Sequence, residues 1–211
     1  MQVPYRIPGS QYYQWVDVYT RMAFERIIFL DQAIDDSLAN FVVSLLLYLN
    51  SEDSSKPIIL YINSPGEAMS ENMGISSISA SLAIYDTMQH IKSPVHTICM
   101  GQAAGTAAMI LSSGTKGFRA CLPSAEVVLT SHYGLMQGQA TDIQIDAKKV
   151  VADRATLMSI LAANTGRTVE KITQDLDRRF YLTPPEAKAY GLVDQVLVSP
   201  KDLPQPVPSL I

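Results

Sequence analysis

Cysteine and histidine are scarce in this chain, two and three among 211 residues. Cys99 and Cys121 both lie in apolar stretches, which fits buried small hydrophobes in a reducing cytosol better than a disulfide or a metal pair. His90 and His96 stand far from any Asp or Cys constellation with metal-ligand spacing, so no metal site and no cofactor are expected. There is no excess of positive charge either. A net charge of −4 argues against nucleic acid or an anionic membrane as the main partner. No apolar run reaches ~18 residues, so no transmembrane helix is expected. Residues 1–8 show neither a charged-then-apolar signal nor a Ser/Arg-rich transit segment, and these readings together place the protein in the cytoplasm. Low-complexity tracts, internal repeats and domain-separating linkers are missing as well. With 47% hydrophobic residues, the chain can fill the core of one globular domain.

What is present alternates between two periodicities. Residues 27–30, 58–63, 95–100, 127–130 and 192–198 read as strands, mostly apolar throughout, as in a parallel sheet covered on both faces. Residues 37–50 carry Leu38, Phe41, Val42, Leu45, Leu46 and Leu49 at helical spacing. Thr141-Asp142-Ile143-Gln144 has capping-box spacing, and the helix it opens extends to Asn164, stopped by Thr165-Gly166. Thr168 caps a shorter helix through Gln174-Asp175. Thr183-Pro184-Pro185-Glu186 opens another, which Gly191 ends. The βα alternation predicts an α/β fold. Residues 1–14 and 199–211, the second with four prolines, read as extended tails on a single domain over 15–198.

The chemistry-bearing position is Gly105, in Gly101-Gln102-Ala103-Ala104-Gly105-Thr106-Ala107-Ala108. An apolar strand leads in and a small-residue helix leads out. Such a junction is where α/β hydrolytic enzymes expose an activated serine at a helix N-terminus. Here the position has no side chain.

Several motifs resemble the ClpP family, the proteolytic subunits of the Clp serine protease. They are Phe24-Glu25-Arg26-Ile27-Ile28-Phe29-Leu30, Leu60-Tyr61-Ile62-Asn63-Ser64-Pro65-Gly66, Ile84-Tyr85-Asp86-Thr87-Met88 and Thr97-Ile98-Cys99-Met100-Gly101-Gln102-Ala103-Ala104. Gln137-Gly138-Gln139-Ala140-Thr141-Asp142-Ile143 and Pro185-Glu186-Ala187 with Tyr190-Gly191-Leu192-Val193-Asp194 complete the set. They run in order over about residues 15–198, and as a set they are specific. The resemblance implies a ClpP/crotonase-like spiral of ββα units with a long handle helix. It places the family's nucleophilic serine on Gly105, its general-base histidine on Thr130 and its aspartate on Arg179. All three are non-catalytic residue types, so the chain is similar to the ClpR group, the inactive ClpP-like subunits of cyanobacteria and plastids.

The oxyanion region points the same way. ClpP continues Asn-Ser-Pro with Gly-Gly, whereas this chain has Gly66-Glu67, and a glutamate brings negative charge to where an oxyanion would form. Thr106 falls where a second ClpP backbone N–H would complete the oxyanion hole. The stretch that follows Glu67, residues 68–80, is longer than its ClpP counterpart by about nine residues, a length that settles in loops or helix ends. It reads either as a tolerated elongation or as a wall filling the vacated substrate groove.

Other functions can be weighed on the residues. A low-activity peptidase could use His132 as a displaced base, with Thr106 or Ser131 as nucleophile. A two-residue displacement moves the imidazole ~6–7 Å along a strand, which breaks the required contacts. A crotonase-type acyl-CoA enzyme would need paired acid/base carboxylates, and Glu67 is the single candidate.

Assembly is the function the intact motifs imply. By resemblance, Gln137, Gly138, Gln139, Ala140, Thr141, Asp142 and Arg178 make contacts between stacked heptameric rings, a tetradecamer mixed with active ClpP subunits. Tyr61, Met100, Leu122 and Leu197 match the family's cleft for a hexameric AAA+ unfoldase, here of ClpC type, while His90 and Ala120 depart from that cleft's usual apolar residues.

Overall fold

The computed structural model describes residues 1–6, 12–68, 78–130, 138–199 and 202. The chain opens with an antiparallel ribbon of β1 (Gln2–Arg6) and β2 (Tyr13–Asp17), then a short helix α1 (Val18–Phe24). Alternation follows through β3 (Ile27–Leu30), α2 (Asp36–Glu52), β4 (Ile58–Ser64), α3 (Ser79–His90), β5 (Val95–Ala104) and α4 (Thr106–Ser112). Then come β6 (Arg119–Cys121), β7 (Glu126–Leu129), α5 (Ala140–Thr165), α6 (Val169–Asp175), β8 (Phe180–Leu182), α7 (Pro184–Tyr190) and β9 (Gln195–Val196). Strands β3-β4-β5-β6-β9 lie parallel in that order. Strand β5 changes neighbours along its length: its first half pairs with β6, and Gln102 to Ala104 pair with β7, which carries β8 antiparallel. This fork delivers the end of β5 to the place where two sheet segments diverge.

Burial explains the layers. Ile28, Leu30, Leu60, Ile62 and Cys99 point to one face of the sheet, where α2, α3 and α4 contribute Val42, Leu46, Ile84, Met88 and all-apolar Met109 to Leu111. Truncating one such side chain to alanine costs about 2–5 kcal/mol. The alternate residues Ile27, Ile59, Ile98, Ala120 and Leu197 form a second cluster on the opposite face, to which α1 contributes Met22. Cys99 and Cys121 are free, buried and register partners across β5 and β6. A hydrogen bond with Cys99, together with burial, pushes the Cys121 thiol up, which keeps it from the reactive thiolate form. His96 is also a packing residue, stacked on Phe118 at 4.2 Å, and burial lowers its pKa.

Two arginines tie distant elements. Arg26 holds a left-handed φ of 63°, and its buried guanidinium donates to the carbonyls of Leu49, Asp53, Lys56 and Pro57 around the C-terminus of α2. Arg119 donates to Asp194 at 2.7 Å and to the Ser112 and Asn164 carbonyls, joining the ends of α4 and α5.

Several expectations change in detail. Helix α5 begins at Ala140 behind Gln139, which makes no side-chain cap bond, so Thr141 is the second helical residue and not a cap. Alanine is the best helix former and already adopts helical backbone there. Strand β5, expected over 95–100, runs on to Ala104, so the junction with α4 is Gly105 alone. The last strand is confined to Gln195–Val196, because its neighbour β6 has three residues to pair with and Asp194 is turned to Arg119. Phe41, assigned to the apolar stripe of α2, is 54% exposed and lines an open groove with Tyr19, Ala23 and Leu45. Residues 2–6 are a paired strand and not a free tail, and the 14/15 boundary falls inside β2. The other expected caps stand: Thr168 accepts from the Lys171 N–H, Thr183 and Glu186 form a capping box, and Gly166 and Gly191 end their helices left-handed.

Candidate functional site

The turn between β5 and α4 consists of one residue. Gly105 has φ 54° and ψ −122°, its N–H donates to the Val128 carbonyl of β7 at 3.0 Å, and its carbonyl accepts from Ala108 and Met109. Any other residue there is strained, because positive φ disfavours a Cβ. Helix α4 is buried from its first residue to its last. A buried helix start needs partners for its leading N–H groups, and Gly105 has no side chain with which to supply one.

Glu67 supplies it from another strand end. Its Oε2 accepts from the Thr106 backbone N–H at 3.2 Å and from the Thr106 hydroxyl at 3.0 Å. Thr106 Oγ1 in turn accepts from Ser81 of α3 at 2.8 Å, and both Ser81 and Thr106 are fully buried. The backbone that carries Glu67 is fixed. Ser64 Oγ donates to the Gln32 carbonyl and accepts from the Gly66 N–H, while Ile34 N–H donates to Gly66 O and Ala68 N–H to Ile34 O. Gly66 itself sits at φ 98° with Ala104 O 2.6 Å from where a Cβ would be, so the loop presses directly on the end of β5.

Two of the three positions matched to the family's triad, 105 and 130, meet here. Thr130 Cγ2 lies 3.4 Å from the ideal Cβ position at Gly105. The antiparallel register ends at Leu129↔Phe180, so Thr130 is the first residue after β7 and Arg179 the last before β8. Around the turn stand a glycine, a threonine methyl and a carboxylate, with no side chain at 105 to attack a carbonyl. The Thr106 hydroxyl is buried and shared between Ser81 and Glu67. His132, Ser131 and residues 69–77 of the longer segment lie outside the described residues. Sequence reasoning placed Glu67 near the oxyanion position but missed that its carboxylate occupies the helix start, and missed Ser81 altogether. Neither has a local signal, since the contacts span 39 and 25 residues.

The other expected sites are apart from this one. Gly138, Gln139, Ala140, Thr141 and Asp142 are all exposed at the start of α5, as is Arg178 beyond α6, while Gln137 lies outside the described residues. Tyr61, Leu122 and Leu197 share the apolar cluster around Ile98; Leu197 is buried, and Tyr61, Leu122 and Met100 are half-buried. His90 is exposed at the end of α3, and Ala120 is buried in the same cluster as Leu197. Among the described residues no group of three His, Cys, Asp or Glu side chains could hold a metal, and no helix is long and apolar enough to cross a membrane.

A parallel sheet forked at β5, seven helices among the described residues and a strand–glycine–helix turn define the mixed α/β class of the ClpP fold. Residues 9–200 match the Clp protease family, and the chain belongs to that family of serine peptidases. It is similar to an ATP-dependent Clp protease proteolytic subunit 2 of Prochlorococcus marinus, 49% identical over 201 residues, 95% of this chain and 96% of that one. A proteolytic subunit 3 of Synechococcus sp. is 48% identical over 95% of the chain and 96% of its own length. A proteolytic subunit 1 of Gloeobacter violaceus is 46% identical over 93% and 94%.

Proposed function

We propose that this chain is a non-catalytic structural subunit of a heteromeric ATP-dependent Clp protease core, of the ClpR kind. It assembles as a single body with active ClpP subunits into stacked heptameric rings in the cytoplasm, and helps dock a hexameric AAA+ unfoldase. The observation that carries this reading is Gly105: the turn that would present a nucleophile presents hydrogen, and a carboxylate fills the adjacent space. Thr130 beside it and Arg179 ahead of β8 offer neither a base at neutral pH nor a carboxylate to orient one.

Assembly is supported by α5. Residues 140–152 bury none of their side chains, and Ile145 and Val151 are 65% and 68% exposed. A helical stretch of that length is marginal in water without packing, and apolar side chains along it fit a contact with another subunit. Half-buried Tyr61 and Leu122 in one apolar cluster with buried Leu197, and half-buried Met100, support the docking cleft.

The test has two parts. Incubated with a serine-reactive fluorophosphonate, the purified chain stays unlabelled while an active ClpP in the same tube labels; labelling of this chain overturns the reading. Copurification of tagged chain followed by native mass yields mixed fourteen-subunit particles. A chain recovered alone, as a monomer, overturns the assembly role.

A further inference from the structure

Glu67 and Gly105 look like two separate losses in the sequence, but the structure makes them one unit. The Glu67 Oε2 that receives the Thr106 N–H at 3.2 Å lies 2.9 Å from the ideal Cβ position at Gly105. A Cβ at 105 would make the tip of the Glu67 side chain shift, and its 3.2 Å bond to the Thr106 N–H is already at the long end of hydrogen bonding. The carboxylate can hold its place because residue 105 has no side chain, and α4 keeps a bonded N-terminus because the carboxylate is there.

We infer that Glu67 is an internal ligand of this turn: its carboxylate replaces both the missing cap of α4 and the substrate oxygen that a working site would receive, and so closes the turn to an acyl group. Three features support it. The donor pair is complete, with the backbone N–H and the hydroxyl of Thr106 both directed to one carboxylate oxygen, and Ser81 orients that hydroxyl from behind. The carrier backbone is rigid, held to Ile34 by bonds at Gly66 O and Ala68 N and pressed against Ala104 by a glycine at φ 98°. A ligand tethered in its bound geometry has little left to lose in ordering, so an outside carbonyl must displace it against a strong bias. Finally, bonds to an ionised acceptor are roughly twice as strong as neutral ones, which suits an amide that α4 buries. The meaning of the plug rests on reading position 105 as the vacated nucleophile turn, but its physical test does not.

That test is a double-mutant cycle read by thermal unfolding of the purified full chain. Gly105→Ala pushes the Glu67 carboxylate off Thr106 and strains φ, lowering Tm by about 5–10 °C. Glu67→Ala removes the cap and lowers Tm by about 3–6 °C. The double variant falls no further than Gly105→Ala alone, because the second change removes a contact already lost. Additive losses, within about 1 °C in this scale, overturn the inference. Should Gly105→Ala fail to fold, amide hydrogen exchange decides. In Glu67→Ala the Thr106 amide exchanges at least about tenfold faster than in the wild type, while Glu67→Gln, which keeps an acceptor oxygen, retains most of the protection. Unchanged Thr106 protection in Glu67→Ala overturns the plug. Fluorophosphonate labelling of the wild type would sink the scaffold reading without touching either outcome.

Discussion

The Gly105 turn and the first half of α5 meet their chemical needs in opposite ways. At the turn, a carboxylate, a hydroxyl, a backbone amide and a serine close on one another inside the chain. Along residues 140–152, by contrast, Ile143, Ile145 and Val151 are directed to solvent, and packing begins at Asp153 and continues through Leu157, Met158 and Leu161. The first region is hydrogen-bonded from within, as the proposed plug requires. The second is incomplete in the isolated chain, which is what a surface destined for another subunit requires. Chemistry turned inward and contact turned outward fit the proposed scaffold role better than either does alone.

The comparison is broken most severely at the loop that carries the plug. Gly66→Ala puts a Cβ 2.6 Å from the Ala104 carbonyl at a φ of 98°, and backbone on both sides cannot yield. The expected loss is about 3 kcal/mol or more by denaturant unfolding. A variant as stable as the wild type would show that the turn is not tightly closed.

A smaller loss is expected where the packed half of α5 is anchored. Arg119 joins the Ser112 and Asn164 carbonyls to Asp194, and its side chain is 5% exposed against 24% for the aspartate. Burial pushes the Asp194 carboxyl up, but the hydrogen bonds and charge of Arg119 outweigh it and hold the group below the usual carboxylate range. A depressed folded-state pKa contributes stability above the unfolded value and loses it as pH falls through the folded value. Asp194→Asn therefore costs about 2–3 kcal/mol at pH 7, and the gap to the wild type closes below about pH 4. A gap that stays constant from pH 7 to pH 3 would remove the ion pair from the account.

How much of this was legible in the sequence follows the range of each interaction. The stops at Gly166 and Gly191, the cap at Thr168 and the box at Thr183–Glu186 are written within four residues, and all of them stand. The parallel strands were legible because both faces are apolar. The turn was visible as a strand–glycine–helix junction, but Glu67 reaching Thr106 and Arg119 reaching Asp194 depend on separations of 39 and 75 residues that no local pattern encodes. The β1–β2 ribbon was missed because Pro4, Pro8 and Gly9 mimic a tail in the sequence, and Pro4 is tolerated because a two-stranded ribbon is all edge. Helix α1 offered seven residues and buries none of them, too short a stretch for periodicity to show.

The smallest effect on the chain itself is expected on the open half of α5, and it sharpens the contrast most. Ile145 and Val151 are both about two-thirds exposed, so replacing each by aspartate takes no apolar surface out of the core. Surface changes away from caps and cores stay within about 0.5 kcal/mol, and Asp146, already in this stretch, shows that the helix carries acidic groups. Unfolding of Ile145→Asp with Val151→Asp should therefore overlay the wild-type curve. In a mixed particle the same two carboxylates would have to be desolvated at the contact, at a cost of several kcal/mol each if left unpaired. Double rings are then lost from the native mass spectrum, with single rings or free subunits in their place. Deleting 134–145 should give the same outcome by removing the contact outright. If the double-aspartate chain still enters fourteen-subunit particles at wild-type yield, the exposed apolar side chains of α5 are not the contact, and the outward half of the comparison fails. If it instead melts early, this half of the helix is packed within the chain after all.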